Sequence, residues 1–279
     1  FPTRRSSDLI YRCDENLKSL AGFPLVSGQA VSAWPAVSGS TLVVPVSGNN
    51  ALMLVDPDGN IRYSAAMHAR ARSAAAVTET LIAALPRSFD AQLYLFDAQG
   101  ELKPGWPVAL SSLASAPAVI ASTARDNFVA AITEAGEFSL WNVDGQSADG
   151  FPVSLYGTFT AAPVWASGLR SWYALSTEGT LWHIAANGSV LGSVPLPRGP
   201  ARDGMLAALD SDGDGLEELY VSGGGDALYA YSHDLALLQG FPVPGMGLPS
   251  FIDIDGDGHL DMVSRGADDS IHAREGGDR

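Results

Sequence analysis

A chain that returns to the same short pattern at a fixed interval builds one small unit several times over, and this constrains its fold more than any single motif. Here Gly-aromatic-Pro recurs as Gly22-Phe23-Pro24, Gly105-Trp106-Pro107, Gly150-Phe151-Pro152 and Gly240-Phe241-Pro242. From Gly22 to Gly105, Gly150 and Gly240 the steps are 83, 45 and 90 residues, so two of them are double units. A second marker falls between: SAWPAV (32–37), SAPAV (115–119), AAPVW (161–165) and LPSFI (248–252), with SAAAV (73–77) and RDGMLAAL (202–209) filling the double gaps. The period is roughly forty-odd residues, the length of four short strands and their turns.

Within each unit, apolar segments such as LVVPV (42–46) and ALMLV (51–55) are turned at Asp58-Gly59, Gln99-Gly100, Asp144-Gly145 and Asn187-Gly188. That is the alternation of a β-hairpin. Aligned on these turns, Met53, Tyr94, Ser139 and Trp182 share one column and Val55, Phe96, Trp141 and Ile184 a second; Tyr229 and Tyr231 fall in the same pair. A spacing of two puts both columns on one face of a strand. Leu54, Leu95, Leu140, His183 and Ala230 line the other, so most units are apolar on both faces and need a cover on each. Like sheets stacked face to face supply it, and no helical period long enough to cover a sheet is present. The expected fold is all-β, a β-propeller of four-stranded blades with about six blade equivalents. A solenoid would want a shorter period, and a sandwich has no need of the Gly-aromatic-Pro marker.

Both ends are expected to be truncated. Residues 1–9, FPTRRSSDL, read as the in-frame translation of a sequencing-library adapter and are set aside as not native; a genuine basic leader carrying Arg4 and Arg5 is the alternative. Segment 10–24 aligns without a gap to 228–242, which opens the chain inside a unit and sets Cys13 in the Tyr231 column, where a buried, inert thiol is expected. The expected organisation is one propeller domain over 10–279: a partial blade at 10–24, five full blades over about 25–242, and a partial blade at 243–279. Segment 10–24 either closes a six-bladed ring with the last blade, or both ends belong to a larger array.

Sixteen Lys and Arg against 31 Asp and Glu give a formal net charge of −15, which repels phosphate backbones and anionic lipid surfaces; nucleic acid is not an expected partner. A single cysteine allows no intrachain disulfide and no thiolate zinc cluster. No apolar run reaches eighteen residues, so no membrane-spanning helix is expected.

Two similar strings set acidic residues at alternate positions. LDSDGDGLEEL contains Asp210, Asp212, Asp214, Gly215 and Glu218; IDIDGDGHLDM contains Asp253, Asp255, Asp257, Gly258 and Asp261. Both read D-x-D-x-D-G-x-x-[DE]. Carboxylates at alternate positions of a tight loop converge, glycine permits the bend, and Leu216 or His259 is placed to offer its carbonyl. Glu218 or Asp261 completes a hard-oxygen shell suited to calcium rather than to the smaller magnesium. The bland alternative is a pair of solvated acidic turns. Repetition at one position of successive units favours the metal. The twelfth-position Glu of an EF-hand is missing, and the strings sit between expected strands.

With these loops each followed by an apolar strand (218–223 and 261–266), and with the G-[FW]-P marker, the chain resembles the FG-GAP/VCBS family of integrin-type propeller repeats, strongly from about residue 200 and weakly before. The resemblance implies calcium loops with a structural role, ligated by the side chains of Asp210, Asp212, Asp214 and Glu218 and of Asp253, Asp255, Asp257 and Asp261. It also implies an extracytoplasmic setting: secreted, periplasmic or cell-surface. The first four blades lack the acidic triad and are expected to be calcium-free.

No catalytic set is expected. His68, His183, His233, His259 and His272 are scattered, G-x-S-x-G is absent, and SGGGD (222–226) precedes no helix. Trp106, Trp141 and Trp182 fall in repeat positions and are expected in the core, while Trp34, Trp165 and Trp172 fit the repeat less strictly. The expected function is a non-catalytic, calcium-binding propeller module that binds protein or glycan or serves as a spacer. The alternative is a propeller enzyme, such as a quinoprotein-type dehydrogenase or a polysaccharide lyase or hydrolase.

Overall fold

The computed structural model describes residues 8–48, 51–123, 126–199, 201, 203–223, 225–266, 268 and 270–274. The leader 1–7, with Arg4 and Arg5, lies outside them, as do Arg202, Gly224 and residues 275–279 of the repeat segments read above. All the strands described belong to seven sheets. First comes a two-stranded sheet, β1 (Leu9–Ile10) and β2 (Leu25–Val26). Five four-stranded sheets follow: β3 (Ala36–Ser38), β4 (Thr41–Val46), β5 (Ala51–Val55), β6 (Ile61–Ala66); then β7 (Ala76–Val77), β8 (Leu81–Ala84), β9 (Gln92–Asp97), β10 (Val108–Ala109); then β11 (Val119–Ser122), β12 (Asn127–Ile132), β13 (Glu137–Asn142), β14 (Val153–Ser154). The fourth and fifth are β15 (Val164–Ala166), β16 (Ser171–Leu175), β17 (Thr180–Ala185), β18 (Val190–Pro195), and β19 (Met205–Leu209), β20 (Glu218–Gly223), β21 (Ala227–Tyr231), β22 (Val243–Pro244). A three-stranded sheet, β23 (Met246–Ile252), β24 (Asp261–Arg265) and β25 (Ile271–Arg274), ends the series. Strand order is sequential in every sheet, as hairpin connections dictate. Among the described residues no helix is long and apolar enough to cross a membrane.

By their internal contacts the residues form two compact units, 1–130 with 141–147, and 131–140 with 148–279. In the first, Val44, Val46, Met53 and Val55 on one face of β4 and β5 pack with Ile10 and Phe23. On the opposite face Val43, Leu52 and Leu54 meet Ile82, Ala84, Tyr94 and Phe96 of the next sheet. The second unit repeats this. Leu219, Val221, Tyr229 and Tyr231 pack on Tyr173, Leu175 and Leu181 of the preceding sheet, while Tyr220, Leu228 and Ala230 meet Met262 of the following one. In these sheets the columns read from the sequence are therefore real faces, each covered by a neighbouring sheet. Every such side chain taken out of water contributes roughly 1.5–3 kcal/mol, so a sheet bare on one face would forfeit a whole set of these contributions.

The third-to-fourth strand hairpins share one construction. Gly59 N–H donates to the Asp56 carbonyl at 3.1 Å and Asp56 N–H to the Asn60 carbonyl at 2.9 Å, a three-residue loop with its glycine at φ +79°. Asp56 Oδ1 accepts from the N–H groups of Asp58 and Asn60 at 3.0 and 2.8 Å, fixing the turn before the strands pair. Asp14, Asp97 and Asn142 do the same in their own units. The backbone N–H of Asn60, then its side-chain amide and Arg62, hold the Asp56 carboxyl down at about 2.

These turns explain the Gly-aromatic-Pro marker. A Cβ placed on Gly22 would stand 1.8 Å from the carbonyl oxygen of Asp58; on Gly105, 2.0 Å from that of Asp144; on Gly150, 1.9 Å from that of Asn187. Reciprocally, a Cβ on Gly59, Gly145 or Gly188 would stand 2.4, 2.4 or 2.2 Å from the carbonyl oxygen of Gly22, Gly105 or Gly150. At three of its four occurrences the marker is thus a docking point, backbone against backbone, for the glycine turn of the next unit, whereas Gly240 has nothing within 4 Å of its Cβ position. All four X-Pro bonds of the marker are cis. Phe23, Trp106 and Phe151 beside them are buried, and Trp106 Nε1–H donates to the Val143 carbonyl at 2.9 Å.

Cys13 departs from expectation. It holds its column, bridging Ser19 as Trp141 bridges Ser147 and Tyr231 bridges Leu237, yet it is exposed. The register was transferable from repeat to repeat; the covering strands were not, because its sheet has two strands where five of the others have four. Leu9, at the end of the segment read as adapter, pairs with Val26.

Gly150→Ala places a methyl group against a carbonyl and a side chain at φ +83°, and is expected to lower the unfolding free energy in urea by at least about 2 kcal/mol. Gly192→Ala, on a strand with nothing within 4 Å of its Cβ position, is expected to change it by less than about 0.5 kcal/mol. Equal effects would remove the docking role.

Candidate metal centre

The two acidic strings form loops of one design. Pairing of Leu209 with Glu218 and of Ile252 with Asp261 closes each at the same point, between the first and second strands of its sheet. Asp210 receives the N–H of Gly213 on Oδ1 at 2.7 Å and that of Gly215 on Oδ2 at 2.9 Å; Asp253 receives those of Gly256 and Gly258 at 2.6 and 2.9 Å. Asp214 Oδ1 accepts from Leu216 N–H at 2.7 Å and Asp257 Oδ1 from His259 N–H at 2.8 Å. Gly215 and Gly258 take φ of +89° and +91°, which a side chain would resist.

Each loop brings three carboxylates together. One oxygen each from Asp210, Asp212 and Glu218 lies within 4.8 Å of the others, and Asp253, Asp255 and Asp261 form the same group. Calcium–oxygen distances of 2.3–2.6 Å put two ligands of one ion no more than roughly 5 Å apart, so either triad can share an ion. Glu218 and Asp261 are only 7% and 6% exposed, and burying a carboxylate carries a desolvation cost. Among the described residues no Lys or Arg forms an ion pair with Asp210, Asp212 or Glu218. An all-oxygen, anionic donor set of this spacing fits a hard divalent cation. Asp214 and Asp257 stand outside the triads, their Oδ1 atoms engaged by backbone. Leu216 and His259 sit at the loop exits with the N–H groups just described, and His259 is exposed.

The loops differ in what braces them. Ser211 donates to Glu218 Oε2 through its N–H at 2.8 Å and its hydroxyl at 2.6 Å, and that hydroxyl lies 2.8 Å from Tyr220 Oη. In the second loop Ile254 supplies an N–H alone to Asp261, at 2.9 Å. Glu217, a residue the sequence did not single out, reaches back to the β15–β16 turn: its Oε1 accepts from Ser167 N–H at 2.7 Å, Ser167 Oγ at 2.8 Å and Gly168 N–H at 3.1 Å. Burial pushes its carboxyl pKa up, but the donors of Gly168 and Ser167 outweigh this and hold it below the usual range. Leu260 occupies the matching place in the second loop.

The remaining polar groups are dispersed. His68 Nδ1 lies 2.7 Å from Tyr94 Oη and its Nε2 3.3 Å from Asp90, a cluster unread in the sequence and open to solvent at Asp90. His183 stacks on Tyr173 at 4.4 Å between ring centroids, and burial, then His233, lowers its pKa. Burial raises Tyr231 to about 12, and burial with Glu217 and Asp234 raises Tyr173 as well, so both stay protonated at neutral pH. Tyr173 Oη donates to the His233 carbonyl at 2.7 Å. Trp172 is buried, whereas Trp34 is 82% exposed.

No protein-family model matches the chain, and no curated protein matches it. Among solved structures it is similar to the computationally designed protein Ika8, with 13% identity, 92% of this chain and 74% of that chain covered, and a TM-score of 0.70. It is similar to BamB from Moraxella catarrhalis, with 13% identity, coverage of 89% and 84%, and a TM-score of 0.54. It is also similar to BBS1N in its complex with ARL6DN, with 8% identity, coverage of 85% and 75%, and a TM-score of 0.63. BamB and BBS1N are β-propeller proteins. At these identities the likeness carries the fold alone: the chain is all-β, a β-propeller of about six blade equivalents.

Ser211→Ala removes a hydroxyl donor from the buried Glu218 carboxylate, and is expected to lower the metal-free unfolding free energy by about 1–3 kcal/mol. Urea denaturation in chelator measures it; an unchanged midpoint would mean that water replaces the hydroxyl without cost.

Proposed function

We propose that the chain is a non-catalytic calcium-binding propeller module of the FG-GAP/VCBS type, belonging to an exported or cell-surface protein. It acts in binding protein or glycan or as a rigid spacer. One observation carries this reading: two loops of the same construction, each setting three carboxylates within 4.8 Å at the same place in consecutive sheets. Asp210, Asp212 and Glu218 would hold one calcium and Asp253, Asp255 and Asp261 another. Asp214, Asp257 and the carbonyls of Leu216 and His259 stand next in the loops to complete the oxygen shells that calcium prefers.

The ion's part is structural. Its charge offsets the mutual repulsion of the clustered acids, and it ties the end of one strand to the start of the next. Affinities on the order of 10⁻⁴–10⁻³ M, the range of extracellular modules, would suffice where calcium is abundant. The dispersed histidines favour this reading over an enzyme.

Calcium is expected to raise the melting temperature and a chelator to lower it, with about 2.7 kcal/mol gained per site at a hundredfold excess over Kd. The double variant Asp212→Ala, Asp255→Ala should not respond. A parent protein whose melting is indifferent to calcium would sink the reading.

A further inference from the structure

The two loops share their carboxylate triads and their internal hydrogen bonds, and the first is also anchored outside itself through Glu217. Glu217 takes three hydrogen bonds on Oε1 from Ser167 and Gly168, and Oε2 lies 3.2 Å from the same Gly168 N–H. These donors belong to the turn joining the first two strands of the preceding sheet, about fifty residues earlier. The approach is close enough that a Cβ on Gly168 would stand 2.2 Å from the Gly215 carbonyl oxygen, in the middle of the acidic loop. Glycine at 168 is what lets the loop seat there. In the second loop Leu260 replaces Glu217, and a leucine side chain accepts no hydrogen bond.

We propose that Glu217 is a positioning residue for the first metal loop: by clamping 210–218 onto the Ser167–Gly168 turn it pre-organises Asp210, Asp212 and Glu218, making this the tighter of two unequal cation sites. Glu217 touches no ion itself. Its carboxylate is consumed by the clamp, while its backbone neighbour Glu218 belongs to the triad. A loop already fixed in its bound shape loses less conformational freedom when the ion arrives, and loss of such supporting contacts lowers metal affinity typically 10–100-fold. The first loop has a further support in the Ser211 hydroxyl, which the second lacks at Ile254. This inference rests on the calcium reading above.

The test is calorimetric titration of calcium into the full chain with one loop disabled at a time. With the second loop disabled by Asp255→Asn, adding Glu217→Gln is expected to weaken binding about tenfold, and adding Ser167→Ala to weaken it less. With the first loop disabled by Asp212→Asn, Glu217→Gln is expected to change nothing, and the single remaining site to be the weaker one. Circular dichroism of each variant in chelator establishes that it is folded. Equal affinities with and without Glu217→Gln in the Asp255→Asn background, or loss of affinity in both backgrounds alike, would overturn the clamp while leaving the calcium reading standing. No calcium heat from the parent protein would overturn both.

Discussion

Small sheets with apolar side chains on both faces cannot stand alone in water, and everything else in this chain follows from that. Met53 and Val55 look one way and Leu52 and Leu54 the other, each set meeting a different neighbouring sheet. Tyr229 and Tyr231 against Tyr220 and Ala230 repeat the division in the second unit. Where apolar faces are covered in this way, stability comes from contacts between neighbouring sheets within each compact unit more than from any one sheet.

Close contact between units needs backbones that can approach, and the chain supplies this with glycine in two settings. Gly105 and Gly150 meet the glycine turns of the following units with no room for a methyl group on either side. Gly168 does the same for the first acidic loop. The Asx turns at Asp56, Asp97 and Asn142 hold the docked hairpins in one shape, so the docking surface is ready before it is used. The first acidic loop is therefore embedded in a contact system, and a cation bound there would act on a joint between sheets.

Much of the fold was legible because strand periodicity is strict: a two-residue step marks a face, and five aligned units make the columns unmistakable. The reason for the Gly-aromatic-Pro marker was not legible, since it lies in a contact with a turn nearly forty residues on. Cys13 was placed in the right column and given the wrong environment, because alignment transfers register but not the number of strands in the sheet. The acidic triads were legible as a spacing, and Asp210, Asp212 and Glu218 do converge. Asp214 and Asp257 carry the same spacing yet lie outside the triads. Glu217 was invisible for the same reason as the marker: its partners at 167 and 168 are remote in sequence. A signal for the Asx turns was available in the Asp or Asn that follows the second column in Asp56, Asp97 and Asn142.

The central claim, that two-faced sheets are protected by one another, is tested most directly by native-state hydrogen–deuterium exchange resolved along the chain. The account predicts that the second and third strands of the five four-stranded sheets, such as Thr41–Val46 with Ala51–Val55 and Glu218–Gly223 with Ala227–Tyr231, exchange slowest and at similar rates. The outer strands Ile61–Ala66 and Val190–Pro195, largely open to water, should exchange much faster. Inner strands that exchange as fast as outer ones would contradict it.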